Sequence, residues 1–413
     1  MSVTREKIES VEPNLIVSDG ATRVRRRTRA HVTSPLRGAV TARIELTSLE
    51  RLLDCDRADW RELARAQPES VPLLEPDWFE SWVEAFTPAD VLLLAAWEGE
   101  RLCALAPLER TVKVWAGRRV RVIHSLTNAE SYRYDFLCAP PRRDVLDALW
   151  NRLARSGADV IHLEHVPADS PVVTSALEAG ERLGWRCHLL PTFESPWRPL
   201  RPPPAHWGEG LKSKFKSNLR NRSRRLAKLG RVTFDVVADP ARQGDALEIF
   251  YALEAASWKG EAGTAVAQRS DARRLYDRWV ERAAPRIRIA LLSVGERPIA
   301  AQVLYESEDT LFMFKTAYDP EFSPYSPGQL LTAEVIRYGI DRGPRALDFL
   351  AGNMPWKSDW SPGLRPHRRV LLFAPTAAGQ YAYWTRYGLR NLAKKVPGAR
   401  QLADLAKRWR ERP

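Results

Sequence analysis

The chain is poor in lysine, and that makes the few lysines of its second half conspicuous. Of 64 lysines and arginines only 12 are lysine, and residues 231–390 hold three of them: Lys259, Lys315 and Lys357. Lys259 and Lys357 each come directly after a tryptophan, and Lys315 lies inside the apolar run LFMFKTAY at 311–318. A compact ammonium polarises a carbonyl or pairs with a carboxylate in a small site where a guanidinium does not fit equivalently. A surface or snorkelling lysine is the plainer alternative for each. Two carboxylates complete the set. Asp348 ends a short apolar segment, and Asp319 opens a proline-punctuated loop after Tyr318. Either can take a proton from a nucleophile or orient the group that does; as structural residues they are a salt-bridge partner and an Asx-turn residue respectively. The catalytic candidates are therefore Asp348, Lys357, Asp319 and Lys315. In the first half, the stretch SYRYDF at 131–136 offers Asp135 for binding a substrate, or is simply a loop.

These residues need elements to hold them. Residues 311–318 read as a strand, 319–328 as a tight loop with three prolines, and the apolar spacing from Leu330 as a helix. A strand, a tight loop and a helix N-terminus can present backbone N–H groups to an anion. Ser326, Pro327, Gly328 and Gln329 are the anion-binding candidates, with Gly328 letting a ligand approach the backbone. Upstream, strands at 286–293 and 299–305 meet in a turn at 295–298, and 345–350 reads as a short strand after the helix. The first half reads as helix 77–86, a hairpin of 91–97 and 102–108 about Gly99, strand 119–125, helix 144–153, strand 160–166 and helix 171–183. Residues 97–104 (WEGERLCA) echo 293–300 (SVGERPIA) at a hairpin in each half. The proline-rich RPLRPPP at 198–204 marks a linker. A very basic helix spans 211–230, and further helices cover 245–257 and 270–284. The expected organisation is a basic arm at 1–42, one lobe at 43–200, a second at 201–375, and a basic helical extension at 376–413.

Composition narrows the partners. The net charge is +13, with eight basic residues and no acid over 212–228 and six arginines and no acid over 21–37. Such runs favour anionic partners, phosphates above all, or are solvated faces. The four cysteines have no metal-like spacing and read as thiols in a reducing cytoplasm. No apolar run approaches a membrane span and the N-terminus lacks a leader's apolar core. His162 and His165 are three apart on a strand and face opposite sides, so no metal site is expected. Walker-type and nucleophile-elbow motifs are missing.

The order helix, several strands, loop, helix, strand resembles the GNAT acyltransferase fold. The local words WKG at 258–260, KTAYD at 315–319, SPG at 326–328, and Asp348-Phe349 with Trp356-Lys357 and Trp360 after it resemble the acetyltransferase family named for the cellulose-biosynthesis protein CelD, which is related to the FemAB peptidyltransferases. The resemblance spans 211–372, with a weaker match back to about residue 50. It implies an α/β fold of two tandem GNAT-like lobes, each a mixed, largely antiparallel sheet flanked by helices. It also implies an acyl-CoA donor, in particular acetyl-CoA, held at Ser326–Gln329, and direct attack by an amine or hydroxyl of a small-molecule, glycan or cell-envelope acceptor. Trp258, Lys259, Tyr318, Trp356 and Trp360 become substrate-binding candidates beside Asp135. The alternatives are a FemAB-like transferase using aminoacyl-tRNA, which the basic helix suits, and a non-catalytic polyanion binder. Peripheral contact of the C-terminal helices with a membrane is a further alternative to their covering the second lobe.

Overall fold

The structure, a computed structural model, describes residues 42–67, 72–201 and 207–388. The basic arm expected at 1–42 lies, apart from Ala42, outside the described residues, as does the C-terminal extension beyond 388. In chain order, β1 is Arg43–Thr47, α1 Leu49–Cys55, α2 Arg57–Arg65, α3 Pro76–Phe86, β2 Val91–Glu98, β3 Arg101–Trp115, β4 Arg118–Ser125, β5 Leu137–Cys138, α4 Arg143–Ala154, β6 Val160–Pro167, α5 Pro171–Leu183 and β7 Arg186–Pro199. The second half contributes α6 Ser213–Leu226, β8 Val232–Val237, α7 Pro240–Ala255, α8 Trp258–Glu261, α9 Ser270–Arg282, β9 Ile287–Val294, β10 Arg297–Glu306, β11 Thr310–Tyr318, α10 Pro327–Arg342, β12 Ala346–Asp348, α11 Pro355–Ser358, β13 Gly363–Phe373 and α12 Ala377–Tyr383.

The two halves repeat one plan. Each has an antiparallel meander (β2-β3-β4 and β9-β10-β11), then a parallel partner to its last strand: β6 beside β4, and β12 beside β11. The echoed GER words sit at equivalent hairpins. Gly99 and Gly295 both take left-handed backbone, φ 60° and 61°, which glycine adopts without steric cost.

The halves are also stitched together. Among the described residues thirteen strands form one sheet, ordered β1-β2-β3-β4-β6-β13-β7-β12-β11-β10-β9-β8, with β5 on β3. The last strand of each half is exchanged. β13 of the second half lies against β6, and β7 of the first half lies against β12. β7 and β13 also pair with each other over most of their length. Residues 198–199 of the expected linker belong to β7.

Alternation along the strands feeds opposite faces. Leu93, Ala95 and Trp97 join a core that continues into Ile287, Ile289 and Phe312 of the second half, whereas Leu92, Leu94 and Ala96 face a core confined almost wholly to the first. The shared core is aromatic where α3 meets α9. Trp78 and Trp279 meet edge to face at 5.2 Å, and Trp279 lies 4.4 Å from Phe314. Each such pair adds roughly 0.5–1.5 kcal/mol beyond burial. Arg282 and Arg278 of α9 bond Glu84 of α3 at 2.7 and 2.9 Å along the rim of this contact.

Candidate active site

Two local departures from regular β structure create the site. The first is a bulge. Val303 of β10 faces Lys315 and Leu304 faces Met313, so Phe314 has no partner on β10. An extra residue of this kind re-aims the neighbouring side chains. Lys315 therefore points to the shared aromatic core, with Nζ 5.4 Å from the Tyr276 ring and 5.6 Å from that of Tyr132.

The second is a parting of strands. β12 pairs with β11 at three positions only, ending at Phe312 and Asp348. β11 runs on to Tyr318, while the other chain turns away through Leu350 and Ala351, both left-handed at φ 48° and 49°. Two consecutive non-glycine residues in that region store strain, and such strain clusters at working sites. The turn is held by Lys357, whose Nζ donates to the carbonyls of Phe349 (3.1 Å), Leu350 (2.8 Å) and Gly352 (3.4 Å).

Asp348 closes the paired part. It is fully buried, and its Oδ2 accepts from Arg133 at 2.8 Å and Arg365 at 2.6 Å, its Oδ1 from the Leu350 amide at 2.8 Å. Burial alone would raise its pKa; the Arg133 and Arg365 charges overcome this and hold it below the ordinary carboxylate value. Arg133 Nε also donates to His367 Nε2 at 3.3 Å. Burial, then the Arg133 charge, pushes His367 down to about 3, so the imidazole is neutral.

The three lysines converge electrostatically but differ in partners. Lys259 Nζ bonds the buried Glu254 at 2.6 Å. Lys315 Nζ bonds Glu130 at 2.9 Å, and Glu130 also takes Arg269 at 2.8 Å and the Tyr276 hydroxyl at 3.2 Å. Burial disfavours the charge on Lys315, but Tyr132 and Glu130 outweigh it and raise the pKa. Lys357 has no carboxylate partner: it bonds the three carbonyls and lies 5.7 Å from the Trp356 ring. Burial lowers its pKa to about 8; Asp348 partly opposes this, and the Lys259 and Lys315 charges reinforce it. Asp348 and Lys357 thus sit at one turn and feel each other's charge, without a direct ion pair.

The remaining candidates fall elsewhere. Asp319 caps the 3-10 turn at 320–325, taking the Glu321 amide at 3.0 Å on Oδ1 and Arg297 at 2.5 Å on Oδ2. Ser326, left-handed at φ 50°, begins α10. Pro327 has no N–H, and the Gln329 and Leu330 amides already bond the Ser326 carbonyl at 3.0 and 3.1 Å. Of the four residues Ser326–Gln329, then, Pro327 and Gln329 have no free N–H to offer an anion, fewer donors than the several expected. A Cβ on Gly328 would meet only Tyr318 Cδ1 at 3.6 Å and Thr316 Oγ1 at 3.9 Å. Gln329 accepts a hydrogen bond from Nε1 of Trp360, which is fully buried against Phe215. Trp356 packs edge-on to Phe349, and Trp258 is 59% exposed on α8. Asp135 lies in the first half, its Oδ1 taking the Ser170 hydroxyl and the Phe136 amide, both at 2.9 Å. Burial raises it to about 7. It lines a cavity of ≈ 120 Å³ that Arg133 also borders. α6 packs against the Asp319–Ser326 turn, with Arg225 over the Tyr325 ring at 5.2 Å.

Glu130, Arg133, Arg365 and His367 belong to this constellation but are not legible as site residues in the sequence. The nearest signal is the run at 131–136, which brings Arg133 to Asp348, while Glu130 just before it meets Lys315. Among the described residues no group of three or more His, Cys, Asp or Glu is arranged to hold a metal ion, and no helix is long and apolar enough to cross a membrane.

Comparison with known proteins agrees with this geometry. Residues 213–358 match the model of the acetyltransferase (GNAT) domain family. The chain thus carries a GNAT acetyltransferase domain and is an enzyme of the N-acyltransferase class. No curated protein matches the sequence. Among solved structures, FemX is similar at a TM-score of 0.56 and 13% identity, covering 80% of this chain and 98% of its own. The C-terminal domain of a putative lysylphosphatidylglycerol synthetase from Agrobacterium fabrum is similar at 0.50 and 13%, covering 79% and 93%. A tandem GNAT protein from the clavulanic acid biosynthesis pathway is similar at 0.42 and 13%, covering 81% and 98%. The fold is two GNAT-like lobes in tandem, a mixed sheet flanked by helices.

Proposed function

We propose that this enzyme moves an acyl group, acetyl first among them, from acyl-CoA to an amine or hydroxyl by direct attack at the opening between β11 and β12. The observation that carries the reading is the parting of these strands beyond Phe312 and Asp348, with Lys357 Nζ bonded to the turn that leads away from Asp348. The donor's phosphates lie by Gly328 and the basic α6, and its thioester reaches into the opening. The acceptor nitrogen forms a bond to the acyl carbon, the C–S bond breaks, and the thiolate leaves. A lysine near pKa 8 suits this proton traffic. In its neutral form Lys357 accepts the acceptor's proton, and as an ammonium it returns one to the departing thiolate. Asp348 keeps Arg133 and Arg365 in place and lends Lys357 a nearby negative charge. In this reading residues 43–200 shape the acceptor side and 201–375 hold the donor, in the cytoplasm where acyl-CoA is available; Asp135 binds the acceptor.

One observation favours a second reading. The side chains of α6 carry a dense positive ridge beside the donor loop, and the names of two similar structures, FemX and lysylphosphatidylglycerol synthetase, suit aminoacyl transfer. An aminoacyl-tRNA donor would use that ridge. Thermal shift separates the two: saturable stabilisation by acetyl-CoA supports the first, and stabilisation by tRNA alone, falling steeply with salt, supports the second and overturns the first.

A further inference from the structure

At the opposite end of the β11–β12 pair, where Thr310 meets Ala346, lies a cavity of ≈ 370 Å³ that the acyl-transfer reading does not use. That volume falls in the lower range of small-molecule sites. Five guanidinium groups border it: Arg65 from α2, Arg201 after β7, Arg286 before β9, Arg345 before β12 and Arg365 on β13. Three carboxylates share the wall: Glu75, Glu308 and Asp309. Most of these charges are engaged. Arg345 Nε pairs with Asp309 at 3.0 Å, Arg286 Nη2 with Glu308 at 3.8 Å, and Arg365 Nη1 with Asp348 at 2.6 Å. Glu75 Oε1 accepts from the Tyr305 hydroxyl at 2.8 Å.

Arg65 and Arg201 differ. Among the described residues neither side chain makes a direct hydrogen bond or ion pair, although the Arg65 charge is felt by Glu75, and both line the cavity. The Arg201 guanidinium lies over Gly343. Gly343 is the left-handed C-cap of α10, and a cation beside a helix C-terminus is favoured by the carbonyl dipoles there. Two guanidinia from different elements, neither held in a direct ion pair, line one cavity and suit a compact dianion. A phosphate carries nearly two charges near neutral pH, and guanidinium groups bind its oxygens in pairs of parallel hydrogen bonds.

We propose that this cavity is a binding site for a phosphate- or diphosphate-bearing molecule, held by Arg65 and Arg201 and separate from the donor's phosphate contacts at Gly328. The inference stands whether or not the donor is acyl-CoA. Arg365 joins the cavity wall to Asp348, so an occupant touches the network that surrounds the candidate active site.

Inorganic pyrophosphate titrated calorimetrically into the whole protein is the test. Saturable binding is expected, weakened by added salt and at least tenfold by Arg65→Gln combined with Arg201→Gln. Both residues are exposed, so the double variant should melt as the parent does and bind acetyl-CoA unchanged. Absence of pyrophosphate binding, or equal binding by the double variant, overturns the assignment. So does binding that Gly328→Val removes and the double variant keeps, because the pyrophosphate would then sit in the donor's own contacts.

Discussion

Lys357 and Asp348 lie nine residues apart and are buried at one turn, but their charges are balanced in different ways. Asp348 has two arginines, whereas Lys357 has carbonyls and a tryptophan ring but no carboxylate, and this sets their behaviour apart. Lys357→Met removes the proposed proton carrier and should lower turnover by roughly tenfold to a hundredfold, the lower range of general acid–base effects, with acetyl-CoA affinity nearly unchanged. The direction of its shift sets the pH dependence. A lysine held at about 8 is protonated below that value, so turnover should rise with pH through about 8 and level off above it, and the Met variant should lose that rise. Asp348→Asn tests a different property. It leaves Arg133 and Arg365 facing a neutral amide in a buried site, and breaking such a pair costs about 3–5 kcal/mol. Denaturant titration should show that loss, alongside reduced turnover. Because the folded-state pKa of Asp348 is depressed, its contribution to stability is present above the unfolded carboxylate pKa and is lost as pH falls through the folded value.

At the scale of elements, the donor turn makes the sharper test. Gly328 is not required by backbone conformation, and a Cβ there meets only ordinary contacts at Tyr318 and Thr316. Gly328→Val should therefore fold normally while covering the surface proposed for the donor's phosphates. At least a tenfold loss of acetyl-CoA affinity is expected by calorimetry, and unchanged affinity would make the turn a plain connection. The strand–turn–helix at 311–342 was legible because apolar runs, prolines and glycine punctuate it. The two GER hairpins were legible for the same local reasons. β7 was not, since Pro191, Pro196 and Pro199 interrupt it, and proline argues against an interior strand. Here the ladder tolerates them, with a register shift between Pro366 and Arg368 of β13 opposite. Nor did the sequence reveal that Arg133 serves Asp348, for they are separated by 215 residues and only the fold brings them together. The same holds for Glu130 and Lys315.

For the molecule as a whole, the exchanged strands and the shared aromatic core make the two halves interdependent. Residues 43–200 alone would lack β13, leaving β6 and β7 with unpaired edges that invite aggregation. That fragment should be insoluble or unfolded, and the intact chain should unfold in one transition seen identically by circular dichroism and tryptophan fluorescence. Trp279→Ala, at the α3–α9 contact, should cost about 3–5 kcal/mol and destabilise both halves together. Two separate transitions would mean that the lobes are independent despite the common sheet.

Acyl transfer at this site requires a donor entering between β11 and β12, and calorimetric titration of the whole protein with acetyl-CoA tests this most directly. The expected result is saturable binding of one acetyl-CoA per chain, weakened at least tenfold by Gly328→Val and nearly unchanged by Lys357→Met. No saturable heat with acetyl-CoA, or binding indifferent to Gly328→Val, would contradict it.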